Sequence, residues 1–202
     1  MRVPVNFWAW ALISPLAAAY RGELDLTPSQ QSLLVAVPVL VGSLGRIPVG
    51  ALTDRLGARV MFPAVSFLTI APVLYVGVVG DTFARLLLGG FFLGIAGTAF
   101  AVGVPFVNAW FPPGRRGLAL GLFGIGMGGT AISAFTTVRL ADAYGRQTPF
   151  LIVAAVLALY GVLALVFVRD AAYDLTPADA ATRTAGFVIL AVVMRPVGGW
   201  LS

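Results

Sequence analysis

Long apolar runs separated by short polar joints set the pattern of this chain. The runs fall at residues 4–20, 31–53, 60–79, 83–110, 117–138, 149–168 and 184–201. A helix needs roughly 20 apolar residues to cross a bilayer core of about 30 Å, and most of the runs reach that length. Barrel strands would be about ten residues long and would alternate in polarity. The pattern therefore predicts an all-α, polytopic membrane helix bundle. Two hundred residues hold at most about seven such spans. The joints gather the charges and turn residues: Arg21–Asp25, Asp54–Arg59, Gly80–Asp81, Pro112–Arg116, Ala141–Arg146 and Arg169–Asp170.

Composition agrees with this class. The chain is 59% hydrophobic and 10% charged, against about 25% charged in soluble domains. Cysteine and histidine are both absent. That removes disulfides, thiol nucleophiles and the usual zinc ligands. No phosphate loop and no paired carboxylates within a run are present, so neither an enzyme active site nor a metal or cofactor is expected. All 13 basic residues are arginine. They are spread thinly between apolar runs and read as topology signals, not as a nucleic-acid surface. With the N-terminus inside the cell, Arg2, Arg55, Arg59, Arg115, Arg116 and Arg169 are cytoplasmic, and Arg21, Arg139 and Arg146 are external. The positive-inside rule favours that orientation. Arg2, an apolar core and Ala17–Ala19 also fit a signal peptide, but Pro15, Trp8 and Trp10 fit a kinked membrane helix better.

One joint is more specific than the rest. Gly50, Asp54, Arg55, Gly57 and Arg59 form G-x-x-x-D-R-x-G-x-R after the second run. Gly50 allows close helix approach, Gly57 suits a left-handed helix end, and Asp54 is able to pair with an arginine or a helix N-terminus. This segment resembles the signature loop between helices 2 and 3 of the major facilitator superfamily. A second likeness covers helices 4 and 5. It runs through Gly94, Gly97 and Phe100, then Asn108–Pro112, then Gly117, Gly121, Gly124, Gly126, Gly128 and Gly129. It resembles the nitrate/nitrite porters of that superfamily. Gly117, Gly121, Gly124 and Gly128 recur at helical spacing and leave one face of helix 5 nearly bare, which suits close helix packing. Porters of this kind commonly carry asparagine after the second glycine of the run, where this chain has Met127. Methionine cannot donate a hydrogen bond to an anion.

Arg46 is the residue most in need of explanation. It lies eight residues before Asp54, about 12 Å along a helix. A guanidinium at that depth costs at least about 2.5–3.5 kcal/mol and requires a partner or an aqueous cavity. No acidic residue lies inside an apolar run. An external anion would fit its planar fork of donors; carbonyls of broken helices are the alternative. A repeat supports the first reading. Asp25-Leu-Thr-Pro28 precedes Arg46 and Gly50, and Asp174-Leu-Thr-Pro177 precedes Arg195 and Gly199 at the same spacings. By resemblance the last run is helix 8, the counterpart of helix 2 in the second half, and Arg46 and Arg195 each hold the anion.

The expected organisation is thus a six-helix N-terminal half of a major facilitator fold at 1–169, with 170–202 a fragment resembling the loop before helix 8 and most of helix 8. Helix 7 has no room at the join near Arg169–Tyr173, and helices 9–12 are missing. The resemblance implies membrane transport of a small anion, nitrate/nitrite exchange by alternating access, in a bacterial inner membrane. Arg46 and Arg195 would clamp the anion and Phe100 would wall it. The face bearing Gly124, Gly126 and Met127 would let backbone approach. Proton symport usually uses Asp, Glu or His within the membrane; their absence from the runs favours exchange. The alternatives are a porter for another small anion or an organic carboxylate, or a non-transporting remnant. The implied partners are the anion, the lipid bilayer, and a complementary half or a homo-oligomer.

Overall fold

The structure, a computed structural model, describes residues 4–168. The predicted last helix, Arg195, Arg169, Arg2 and the join near Arg169–Tyr173 lie outside the described residues. Within them every regular element is helical. Helix α1 is formed by Pro4–Trp10 and Ile13–Glu23. It is followed by α2 (Pro28–Leu56), α3 (Ala58–Val79), α4 (Phe83–Trp110), α5 (Arg116–Tyr144) and α6 (Thr148–Phe167). Helices α2 to α6 are each long and apolar enough to cross a membrane. The six correspond in order to the first six apolar runs, and the chain is an all-α, multi-pass membrane bundle.

The joints are built from local chemistry. Thr27 accepts from the Gln30 backbone N–H at 3.3 Å, and the Gln30 side chain accepts from the Thr27 N–H at 2.9 Å. Pro28 follows at the first helical position, where its missing N–H costs nothing. Gly57 ends α2 and begins α3 at φ 79°, ψ 161°. The positive φ matches the expectation; the extended ψ differs from a left-handed helix end, because α3 starts immediately and the chain must reverse within one residue. Gly145 takes nearly the same conformation (φ 92°, ψ 153°) between α5 and α6. Each glycine lies three residues after an aspartate, Asp54 or Asp142.

Helix α1 occupies the middle and touches all five others. Helices α3 and α6 pack along much of their length. Phe150 of α6 sits against Gly77 of α3, and Phe67 of α3 sits against Gly161 of α6. By contrast, α2 and α5 are largely uncovered. Leu40, Leu44 and Ile47 on α2, and Leu118, Ile125 and Phe135 on α5, are exposed. In lipid, exposed leucine is no penalty, because acyl chains are as apolar as it is. At one end of the bundle Arg146 forms an ion pair with Glu23 and lies over the Tyr20 ring, 5.3 Å from its centre. The α1–α2 and α5–α6 joints therefore share an end, as six alternating spans require.

Candidate functional site

Four of the six helices are interrupted, and the interruptions meet. Pro15 has no N–H to give Ala11, so α1 breaks at Ala11–Leu12. The Ala11 carbonyl instead accepts from Ser133 Oγ of α5 at 3.1 Å. Pro48 likewise has no N–H for Leu44, and α2 divides at Gly45. The ladder resumes on either side, with Gly45 N–H on Val41 O and Val49 N–H on Gly45 O. Helix α4 tightens to a 3₁₀ turn at Gly94–Thr98, and α5 does so at Ile125–Gly128. The first segment of α1 touches both 3₁₀ stretches, and α2 packs on that of α4. Discontinuous helices at the middle of a membrane bundle are a recurring way to build a solute site.

Trp10 keys this junction. Its indole Nε1 donates to the Pro38 carbonyl at 2.9 Å. A Cβ on Gly42 or Gly97 would come within 2.9 Å of the Trp10 side chain. Gly94 is equally tight, at 2.6 Å from Val41 Cβ. Glycine at these positions lets α1, α2 and α4 close on one another.

Arg46 opens the second segment of α2, directly after the break. Its guanidinium carbon lies 5.2 Å from the centre of the Phe100 ring, within range of a cation–π interaction. Phe100 is also in edge contact with Phe7 (6.4 Å) and tilted against Phe123 (5.7 Å). Phe7 in turn meets Trp10 at 5.8 Å. Helices α1, α2, α4 and α5 thus converge on one aromatic cluster carrying one partly buried cation.

The predicted residues fall as follows. Arg46 and Phe100 are brought into contact. Gly124 follows Phe123 at the start of the 3₁₀ turn; Gly126 is buried and Met127 is exposed, so the turn offers these two to opposite sides. The bare face of α5 differs from expectation. A Cβ on Gly117, Gly121, Gly124 or Gly128 would meet nothing within 4 Å, so no described helix packs there. In the signature loop Gly50 is buried at the last turns of α2, while Arg55 and Arg59 are exposed on either side of Gly57. Sequence reasoning did not single out Phe7, Phe123 or Gly103 as site residues. A Cβ on Gly103 would lie 1.9 Å from Phe123 Cζ. The position of Phe123 beside the glycine run was the available signal.

A multi-pass helical bundle with broken central helices is an architecture that recurs among membrane transport proteins. The family model of the Major Facilitator Superfamily matches residues 5–197; the chain belongs to that superfamily. It is 43% identical over 250 residues to the "Probable nitrate/nitrite transporter NarK2" of Mycobacterium tuberculosis (strain ATCC 25618 / H37Rv), covering 98% of this chain and 63% of the relative. It is 33% identical over 245 residues to the "Nitrite extrusion protein" of Bacillus subtilis (strain 168), with 98% and 62% covered. It is 36% identical over 163 residues to the "Probable nitrate transporter NarT" of Staphylococcus haemolyticus (strain JCSC1435), with 81% and 42% covered. The chain spans less than two thirds of the length of these relatives.

Proposed function

We propose that this chain carries the paired arginines of the anion site of a nitrate/nitrite porter working by alternating access. The observation that carries this reading is Arg46, held on the Phe100 ring at the break of α2. A guanidinium presents forked donors that match a planar oxyanion, and Arg195, 149 residues later in the sequence, supplies the second. The names of the relatives support nitrate and nitrite as the substrates. The carboxylates of the sequence lie in the joints, at helix ends or after Phe167, which favours exchange of one anion for another over proton symport. The N-terminus faces the cytoplasm of a bacterial inner membrane on the arginine count. No chemical conversion is involved.

The alignment length supports an internal deletion. Matching 250 residues of the mycobacterial relative with a chain of 202 leaves about 50 residues of that relative without a counterpart. That suffices for one span of about 20 residues and its loops, as a missing helix 7 requires. A second reading follows: the chain works only with a complementary half. The open glycine face of α5 favours it. Uptake of nitrate into proteoliposomes separates these ideas. Counterflow that needs internal nitrite supports exchange, and strict dependence on a pH gradient would sink it. Uptake that survives Arg46→Ala overturns the anion-site reading.

A further inference from the structure

Phe100 cannot orient Arg46 unless something orients Phe100. Its ring is gripped from two sides, by Phe7 of α1 and by Phe123 of α5. Phe7 is fully buried and fixed by its core. Phe123 is only partly buried, and its tightest contact is with the backbone of α4 at Gly103. Its ring tip lies where a side chain at position 103 would begin, with Cζ, Cε2 and Cε1 at 1.9, 2.3 and 2.9 Å from an ideal Cβ on Gly103. Gly103 is thus a notch in α4 that accepts this ring. Phe123 also lies two residues before the 3₁₀ turn of α5, with only Gly124 between, so it joins the glycine-lined segment to the cation.

We propose that Phe123, seated in the Gly103 notch, is a positioning residue that sets the anion selectivity of Arg46. This rests on the anion-site reading above. The logic is geometric. The guanidinium carbon lies 5.2 Å from the Phe100 ring centre, so a ring held in place restrains the guanidinium from one side, and a restrained fork gives two parallel donors in a set direction. A planar oxyanion uses both donors; a spherical halide does not distinguish their orientation. When Phe123 is lost, Phe100 tilts and the guanidinium turns. Planar anions then lose affinity and spherical ones keep theirs.

The experiment is equilibrium binding of nitrate to the purified full chain in lipid nanodiscs, with chloride as competitor. Wild type, Arg46→Ala, Phe123→Leu, Gly103→Ala and the Gly103→Ala/Phe123→Leu double variant are compared. Phe123→Leu is expected to lower the nitrate-over-chloride preference about tenfold, the scale of one lost aromatic–cation orientation. Gly103→Ala expels the ring and should do the same. The double variant should be no worse than Phe123→Leu alone, since the notch then has nothing to seat. A merely structural role would lower the amount of folded protein and leave the preference unchanged. Arg46-dependent nitrate binding with an unaltered preference in Phe123→Leu overturns this proposal alone. Additive losses in the double variant also overturn it. Absence of nitrate binding, or binding indifferent to Arg46→Ala, overturns the anion-site reading and this proposal with it.

Discussion

One interface allows the same substitution to be made twice with opposite expectations. On the α3–α6 pair, alanine is introduced at Gly77 and, separately, at Gly161. At Gly77 the new Cβ would stand 2.6 Å from Phe150 Cβ and 2.9 Å from its Cγ, where ordinary contact begins at 3.4 Å. Phe150 is fully buried, and its Cβ moves only with the backbone, so the two helices must separate by nearly 1 Å. Overpacking of this kind costs about 1–3 kcal/mol. At Gly161 the shortfall is similar, 2.7 Å to Phe67 Cζ. That atom, however, is the tip of a ring that is 38% exposed and free to swing into lipid. Alanine in a helix interior also gains up to about 1 kcal/mol over glycine, so Gly161→Ala is expected to be near neutral. Gly77 lies within a helix as well, so the same gain offsets part of its cost, and on the scale of roughly 2–4 °C per kcal/mol Gly77→Ala should lower the midpoint by a few degrees. Thermal unfolding of the purified chain in one detergent, followed by far-UV circular dichroism, makes the comparison. Equal losses at the two sites, or a larger loss at Gly161, would refute the argument that the mobility of the opposing atom decides the cost.

Three further outcomes follow from the joints and breaks. Ser133→Ala removes the donor to the Ala11 carbonyl and should destabilise by about 0.6–1.7 kcal/mol; added to Pro15→Ala, which restores a backbone donor, it should cost less, as a double-mutant cycle in chemical unfolding will read. Gly57→Ala and Gly145→Ala force a side chain into positive φ and should each cost about 1–3 kcal/mol, whereas Gly114→Ala, with no neighbour near its Cβ position, should be silent in the same assay. Arg146→Ala removes an ion pair whose partners are both more than a third exposed. Its effect on the melting midpoint should stay below about 1 kcal/mol and fade with added salt.

Much of this architecture was legible because a bilayer imposes a simple rule on composition. Apolar length alone located α2 to α6, and the Thr27–Pro28 start and the Gly57 reversal were legible from residue type. Pro15 announced the break in α1. What residue pattern did not give was which partner would meet each interruption. Ser133 lies 122 positions from Ala11, and Phe123 reaches Gly103 across the α4–α5 joint. Such pairings depend on how six helices rotate about their axes, which a span-length apolar run leaves open because every face of it is apolar. Of the candidate site, the pair Arg46 and Phe100, which the structure brings into contact, was conspicuous in the sequence, and its neighbours Phe7, Phe123 and the glycine notches were not. A charged or aromatic residue is conspicuous in a run of valine and leucine, whereas a glycine that receives a ring looks like any other glycine.

The bare face of α5 brings that distinction to a point. Gly103 and Gly117 are both glycines in apolar helices, yet one is filled by a ring and the other meets nothing within 4 Å. The exposed leucines of α2 and α5 do not require a protein partner, since lipid solvates them as well as a helix would. The glycine stripe is different in kind. It offers acyl chains little side-chain surface and offers another backbone the closest approach available in a membrane. It also continues, through Gly124, into Phe123 and so to the ring beneath Arg46. On the proposal that Phe123 positions Arg46, anything seated on that stripe would press on the positioning segment. Anion affinity and occupancy of the α5 face are therefore expected to be coupled, and by linkage the coupling must act equally in both directions.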